Sequence, residues 1–181
     1  KDEMGRVALV EKELEFIRQR KEDCFYLVRL LEQGKLPLRV THNDTKLNNI
    51  LLDSKTQKGV CIIDLDTIMP GLAAYDFGDS IRFGAATAAE DEPDLSKVHF
   101  SAELYETYME GYLQGAGDVL TSEEIASLPW GARLMTLECG MRFLTDYLEG
   151  DHYFKISRPE HNLDRTRTQL KLVWEMEEYF K

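Results

Sequence analysis

The stretch VTHNDTKLNN, residues 40–49, carries the side chains whose types and spacing best suit a chemical reaction. Phosphoryl transfer needs a carboxylate that accepts the proton of the attacking hydroxyl, a cation near the γ-phosphate, and oxygen ligands for magnesium. Asp44, Lys46 and Asn49 provide a carboxylate, a cation and an amide oxygen in the order and spacing of a kinase catalytic loop. We therefore predict that Asp44 is the catalytic base and that Lys46 and Asn49 bind ATP through its phosphates.

His42 opens the same motif and is easily taken for a general base. We expect it instead to support the loop by hydrogen bonding to backbone near the metal-binding aspartate, since this position of a kinase loop is usually architectural. A lone His-x-Asp is common, and a solvated loop in which Asp44 caps a turn or helix is the alternative interpretation. The whole motif, followed fifteen residues later by Asp64 at the end of a β-rich run, favours the catalytic interpretation.

A β-hairpin is predicted where NILLD and GVCIIDLD flank the polar segment SKTQKG. If Leu52 faces Cys61, the antiparallel register places Asn49 opposite Asp64, and one magnesium ion can bridge their oxygens. A slip of one residue would turn Asp64 to the other face of the hairpin. Asp66 lies on the same face as Asp64 and is predicted to be a second metal ligand or an outer partner of the site.

Helical patterns dominate the rest of the chain. Apolar residues recur at helical spacing, which predicts two helices, or one kinked helix, over about 4–33. Further helices are expected over 101–114, 122–128, 130–148 and 162–180. The predicted fold class is therefore α+β and mostly helical, with one small hairpin.

Composition narrows the classes of function. The net charge of −11 argues against nucleic-acid binding, because no basic stripe is present. No apolar run approaches the roughly 18 residues that a membrane span needs, so no membrane partner is expected. Cys24, Cys61 and Cys139 are odd in number and lack a CxxC motif, which favours a reducing compartment, and we expect the cytoplasm.

HNDTKLNNILLD, CIIDLDTIMPG and YDFGDSIRFGA resemble the C-terminal lobe of the aminoglycoside phosphotransferase and choline kinase superfamily, which shares its core fold with protein kinases. Within this superfamily, the segments resemble the N-acetylhexosamine 1-kinase group, which phosphorylates the anomeric hydroxyl of GlcNAc and GalNAc. The resemblance covers nearly all of the chain and implies an ATP- and Mg²⁺-dependent phosphotransferase acting on a sugar hydroxyl. It gives Asp44 the role of base, Asn49 and Asp64 the role of metal ligands, and turns Lys46 toward the phosphates.

The tripeptide Asp76-Phe77-Gly78 spells DFG, whose aspartate holds magnesium in protein kinases. Asp76 lies 27 residues beyond Asn49, too far for one tight hairpin, and a Pro-Gly breaker opens its segment. We therefore assign the metal role to Asp64. By the resemblance, Asp76 braces the catalytic segment by accepting backbone N–H bonds.

Four residues are candidates for contacts with the substrate, beside Asp44 itself. Thr67 follows the DLD motif and can direct its hydroxyl at a sugar, while Phe83 can pack on a sugar face. Arg142 interrupts an apolar helix pattern, and either binds substrate oxygens or pairs with Glu138 four residues earlier. Tyr153 can close the substrate pocket, although a single tyrosine is more often exposed or packed in the core. The sugar-binding residues of the resembled family fall near these positions.

An N-terminal ATP-binding lobe is expected to be missing from this sequence. No Gly-rich loop follows a strand, and the chain begins within an apparent helix that has no preceding cap, which suggests a piece of a longer protein. We expect residues 1–181 to form one C-terminal catalytic lobe. Its partners would be ATP, a small sugar and the missing lobe, and the lobe alone would be poorly active or inactive.

Three other functions remain open on sequence grounds. The acidic composition suits the cationic substrates of aminoglycoside or choline and ethanolamine kinases. A pseudokinase-like lobe that only binds a partner is permitted by the absence of an N-terminal lobe. The run VCIIDLDT also resembles the DxD motif of aspartyl-phosphate phosphatases, in which Asp64 would be a nucleophile and Asp66 the acid and base.

Overall fold

Residues 2–181 are described by a computed structural model. The described chain has six α-helices and four short β-strands, so the predicted mostly helical α+β class is confirmed. The helices are α1 (Glu11–Gln19), α2 (Tyr26–Glu32), α3 (Ala73–Gly84), α4 (Ala102–Ala116), α5 (Ser122–Glu149) and α6 (His161–Tyr179). The strands are β1 (Arg39–Thr41), β2 (Ile50–Leu52), β3 (Gly59–Ile62) and β4 (Met69–Gly71). No helix within residues 2–181 is long and apolar enough to cross a membrane.

The described chain divides into two compact units. The first, called here the site unit, comprises Leu27–Ala85 and Ala102–Ala132 and holds all four strands. The second, called the helical unit, comprises the other described residues. In the site unit the strands form two antiparallel pairs, β1 with β4 and β2 with β3. The β2–β3 pair is the predicted hairpin.

The helical unit is built around two apolar clusters. In one, Val10 packs with Leu144, Tyr147 and Leu163. In the other, Leu137 of α5 packs with Leu170 and Val173 of α6. These positions recur at helical spacing, and their burial accounts for the stability of helices that carry many charges on their other faces.

The helix prediction was wrong at Pro129. Separate helices were expected over 122–128 and 130–148, but α5 continues through the proline. Proline removes one backbone hydrogen bond and crowds the preceding turn. Leu128 and Ala132 on either side of it are completely buried, so packing outweighs the local cost of the proline.

The segment around DFG is helical, and no helix was predicted there from the sequence. Ala73, Ala74, Phe77 and Ile81 are buried along one face of α3, at helical spacing. The Pro70-Gly71 pair belongs to β4, which pairs with β1 through Pro70 and Val40. The breaker therefore ends a strand immediately before the helix begins.

Gly78 of α3 lies against the backbone of α5. A Cβ atom added to Gly78 would lie 2.2 Å from the carbonyl oxygen of Gly131, and one added to Gly131 would lie 1.9 Å from the carbonyl oxygen of Ala74. Backbone atoms on both sides leave no flexible side chain that can move away. Glycine at these two positions is what allows the two helices to approach so closely.

We expect Gly78→Ala to destabilise the protein by about 3 kcal/mol, since overpacking against backbone forces the two helices apart. The free energy of unfolding in urea measures this change. Gly84→Ala is a matched control at the end of the same helix, where the added Cβ would be 4.0 Å from Leu47 Cδ1. Equal stability of the two variants would contradict the close approach of α3 and α5.

Candidate functional site

The loop after β1 carries the predicted catalytic residues, and Asp76 of α3 holds its first two residues. Asp76 accepts hydrogen bonds from the backbone N–H groups of His42 and Asn43 through its two carboxylate oxygens, each at 2.8 Å. Asn43 has a φ of 63°, in the left-handed region. A non-glycine residue is held there only when its surroundings fix it, and the carboxylate of Asp76 does so.

Asp79 and Ser80 hold the next part of the loop, a role that the sequence did not suggest. Asp79 accepts a hydrogen bond from the Thr45 backbone N–H at 2.8 Å, and the Ser80 hydroxyl donates to the Thr45 carbonyl at 3.1 Å. The Thr45 hydroxyl in turn donates to the Asp76 carbonyl. Asp76 and Asp79 lie three residues apart on one helix face, and that spacing is the signal available in the sequence.

Asp44 lies beside both of the polar residues that were predicted with it. Lys46 Nζ is 2.7 Å from Asp44 Oδ2, and the Asn49 amide nitrogen donates to the same oxygen at 2.9 Å. Among residues 2–181, no described side chain or backbone group donates to Asp44 Oδ1. One carboxylate oxygen is thus held by the protein and the other is left available to a ligand.

The charge state of Asp44 suits a base. Partial burial raises the pKa of its carboxyl group, but the hydrogen bonds from Lys46 and Asn49 and the charge of Lys46 outweigh it, so that the pKa lies below its usual value. The pKa of Lys46 is raised, first by its hydrogen bond to Asp44 and further by the charges of Asp64 and Asp79. Asp44 is therefore ionised and Lys46 protonated at neutral pH.

Asn49 is buried and lies in a short 3-10 helix, Leu47–Asn49, just before β2. Its amide nitrogen donates both to the carboxylate and to the backbone carbonyl of Asp44, each at 2.9 Å. Both bonds use the nitrogen, which fixes the amide orientation and leaves the amide oxygen as the atom that can bind a cation.

The predicted register of the hairpin was wrong by one residue. Ile50 pairs with Ile62, and the Ile63 N–H donates to the Asn49 carbonyl at 3.0 Å, so Asn49 lies opposite Ile63 rather than Asp64. An irregularity follows, and Leu52 pairs with Gly59. The bulge takes up one residue of β3, a feature that strand alternation does not reveal.

Asp64 nevertheless lies among the charged residues of the loop. It has a φ of 66°, so the chain leaves the strand direction there and the simple alternation of faces no longer applies. Its pKa is raised, mainly by a hydrogen bond with Asp66 and by the charge of Asp66, while the charge of Lys46 lowers it. The side chains of Asp64 and Asp66 thus interact with each other, and the charge of Lys46 acts on Asp64.

This donor set suits magnesium in chemical type. Two adjacent carboxylates repel each other unless a proton or a cation lies between them, and magnesium prefers oxygen ligands. Among the described residues, no three His, Cys, Asp or Glu side chains come together to hold a metal ion. Two carboxylates and an amide oxygen would therefore need phosphate oxygens and water to complete an octahedral shell, as is usual for magnesium beside a nucleotide.

Backbone bonds also engage His42 and Thr67. The His42 Nε2 atom is 3.0 Å from the Ile63 carbonyl oxygen, next to Asp64. The Thr67 hydroxyl donates to the His42 carbonyl at 2.6 Å, and the Thr67 carbonyl accepts a bond from Asn43. The Thr67 proton, which was expected to be directed at a sugar, is therefore used within the loop, and only the oxygen remains able to accept a hydrogen bond.

Phe83 is an exposed residue near the end of α3. The neighbouring Arg82 is bound to Asp79 by contacts of 3.1 and 3.2 Å. The exposed Phe83 ring is accessible to an apolar ligand. The charge of Asp79 is balanced by Arg82 of the same helix.

A cavity of about 230 Å³ adjoins the loop in the site unit. It is lined by loop residues, by residues of the hairpin and α3, and by two tyrosines of α4: His42, Asp44, Thr45, Lys46, Asn49, Ile50, Ile62, Asp76, Ser80, Tyr108 and Tyr112. Tyr108 and Tyr112 were not predicted as site residues, since their spacing on α4 is equally typical of core packing.

Arg142 and Tyr153, both predicted to contact substrate, lie together in the helical unit. Arg142 Nη2 is 3.4 Å from the Tyr153 hydroxyl, and its guanidinium lies 5.4 Å from the ring centre of Phe154. The expected pairing with Glu138 is also present, at 3.7 Å. Both residues line a cavity of about 510 Å³ whose wall also includes Asp146. Their contact with a substrate remains a prediction.

A family model described as "Phosphotransferase enzyme family" (APH) matches residues 4–121, which is more than half of the chain. The matched range includes the loop of Asp44, Lys46 and Asn49 as well as Asp64, and it ends before Arg142. The match confirms the expected kind of family.

Proposed function

The chain belongs to the phosphotransferase enzyme family, and from this premise we propose that it transfers the γ-phosphate of ATP to a hydroxyl group of a small neutral sugar. Within the family, we propose the N-acetylhexosamine 1-kinase type. The observation that carries the proposal is the arrangement around Asp44, where Lys46 and Asn49 bind one carboxylate oxygen and leave Oδ1 open.

The proposed reaction needs few groups from the protein. Asp44 Oδ1 accepts the hydrogen bond of the attacking hydroxyl and takes its proton as the new oxygen–phosphorus bond forms and the bond to the β-phosphate oxygen breaks. The products are the sugar phosphate and ADP. Lys46, already protonated beside Asp44, offsets the charge on the transferred phosphoryl group.

We propose that Asn49 and Asp64 hold magnesium, with Asp66 as a second ligand or an outer partner. The free amide oxygen and the adjacent carboxylates fit such an ion in chemical type. A magnesium ion held there would supply positive charge that offsets the negative charge of the ATP phosphates. Asp76 is assigned to the support of the loop, because both of its oxygens already accept backbone bonds.

A neutral acceptor is favoured over a cationic one by the state of the carboxylates around the cavity. Asp44 is paired with Lys46, and Asp76 binds two backbone N–H groups. An aminoglycoside or choline would bring positive charge to a wall where the charge of Asp44 is already paired with Lys46 and both oxygens of Asp76 accept backbone N–H bonds. A sugar needs hydrogen bonds and an apolar face, and both are available here.

We further propose that residues 1–181 act as a C-terminal catalytic lobe and that an ATP-binding lobe covers the hairpin. Leu51, Val60 and Ile62 are 48%, 68% and 58% exposed. Apolar side chains exposed on a paired hairpin indicate a surface that a ligand or another part of the protein covers in the active state. The adenine ring and the second lobe are the proposed occupants.

An acceptor panel tests the proposed function. The full-length protein is incubated with Mg²⁺-ATP and with GlcNAc, GalNAc, kanamycin or choline, and ADP release is measured. We expect turnover with one or both N-acetylhexosamines and at least about tenfold lower kcat/KM with the cations, which corresponds to about 1.4 kcal/mol of discrimination. Turnover of kanamycin or choline without turnover of either sugar would contradict the proposed substrate class. Binding of Mg²⁺-ATP without turnover of any acceptor would instead favour a non-catalytic lobe.

A further inference from the structure

Tyr108 and Tyr112 form a rigid aromatic surface on the wall of the cavity that contains Asp44. They lie one helical turn apart on α4, and their rings are 6.3 Å apart at 19° to each other. Residues four apart on a helix face the same side, which explains the near-parallel arrangement. The pair is therefore one packed aromatic unit on the cavity wall rather than two unrelated rings.

Phe77 holds this surface from behind. Its ring centre lies 5.7 Å from that of Tyr108 and 5.2 Å from that of Tyr112, and Phe77 is completely buried. Aromatic pairs at these distances and tilted angles are favourable beyond the area they bury. The tyrosine rings are thus fixed before any ligand binds, which lowers the entropy cost of binding.

The two hydroxyl groups differ in what they contact. Burial raises the pKa of Tyr108, whereas the Ser80 side chain lowers it, and the Ser80 hydroxyl itself donates to the Thr45 carbonyl in the catalytic loop. No hydrogen bond from the Tyr112 hydroxyl to another residue is present in the described part of the chain. Burial raises the pKa of Tyr112 to about 12, with a further contribution from Asp76, so this hydroxyl keeps its proton at neutral pH.

We infer that Tyr108 and Tyr112 form the wall of the acceptor subsite, with a pyranose ring packed on their faces and a sugar oxygen accepting a hydrogen bond from the Tyr112 hydroxyl. The carbon-bound hydrogens of a pyranose form an apolar face that matches an aromatic surface, and its oxygens match the available donor. The wall shares one cavity with Asp44, and it orients the sugar for attack. This inference rests on the proposed sugar kinase activity and adds the residues that select the acceptor.

Steady-state kinetics of the full-length protein with Tyr112→Phe and Tyr112→Leu test the inference. Tyr112→Phe keeps the ring and removes one hydrogen bond, so we expect the KM for the sugar to rise about 3–10-fold. Tyr112→Leu also removes the aromatic face, and we expect kcat/KM for the sugar to fall about 10–100-fold. The KM for ATP should stay within twofold of the wild-type value in both variants. General disorder of the loop would instead raise the KM for ATP as well as the KM for the sugar.

Tyr105→Phe is the matched control. Tyr105 lies on the same helix and contacts the same Phe77, but it is 5% exposed and does not line the cavity. We expect its sugar KM to equal that of the wild type, and thermal unfolding reports whether each variant is folded. Wild-type turnover with an unchanged sugar KM in folded Tyr112→Phe and Tyr112→Leu would overturn this inference alone. A wild-type protein that phosphorylates no sugar would overturn the proposed function and this inference with it.

Discussion

Asp44→Asn is expected to lower kcat by about 10²–10⁴-fold, the range that general base catalysis contributes. The amide keeps the volume of the side chain and can still accept a bond from Lys46, but it takes no proton from the sugar hydroxyl. The measurement is the initial rate of ADP formation with saturating Mg²⁺-ATP and sugar. Since the pKa of Asp44 is held below its usual value by Lys46 and Asn49, the wild-type rate should stay constant as the pH falls from 7 to about 5.

Asp118→Asn is the matched control for this change, because Asp118 is an exposed aspartate in the 3-10 helix Gly117–Val119 of the same unit. Its rate should equal that of the wild type. The thermal unfolding temperature of Asp44→Asn should also remain close to that of the wild type. This control is needed because unfolding alone would lower the rate, whatever the role of Asp44. Near wild-type turnover by folded Asp44→Asn would refute the assignment of the base.

Asp64→Asn is expected to lower kcat/KM by at least about 100-fold and to raise the Mg²⁺ concentration needed for half-maximal activity. The reason is the loss of a charged oxygen ligand from a site that has few protein ligands. A Mg²⁺ titration of the rate at fixed ATP separates this effect from a loss of nucleotide binding. Asp66→Asn should have a smaller effect, about 10–100-fold, if Asp66 acts as an outer partner.

Asp76→Asn distinguishes the two candidate metal aspartates. Asp76 binds the backbone of His42 and Asn43, so its replacement should lower stability while leaving the Mg²⁺ dependence of the residual rate unchanged. A large shift in the Mg²⁺ requirement with Asp76→Asn, and none with Asp64→Asn, would assign the metal to the DFG aspartate instead.

The sequence was most informative where the relevant contacts are short in range. Asp44, Lys46 and Asn49 lie within six residues, so their order along the chain already places them together. The hairpin was also predictable, because two apolar runs flank a polar turn. The family could be inferred from these same segments and matches the family model.

Long-range packing explains what the sequence did not reveal. The one-residue error at Ile50 and Leu51 depends on where the hairpin turns, and the bulge between Leu51 and Leu52 adds a second residue of shift on the turn side. The contacts of Asp79 and Tyr112 with the site depend on where α3 and α4 pack. The spacing along the sequence indicates which residues share a helix face. It does not indicate which other element packs against that face.

The proposed transfer of phosphate to a sugar hydroxyl through Asp44 is tested most directly by ³¹P NMR of the reaction mixture. With full-length protein, Mg²⁺-ATP and GlcNAc or GalNAc, we predict a new phosphomonoester signal coupled to the anomeric proton, growing as the γ-phosphate signal of ATP declines. Asp44→Asn should give no such signal in the same time. A wild-type reaction that yields only ADP and inorganic phosphate, or a sugar phosphate formed equally fast by Asp44→Asn, would contradict the account.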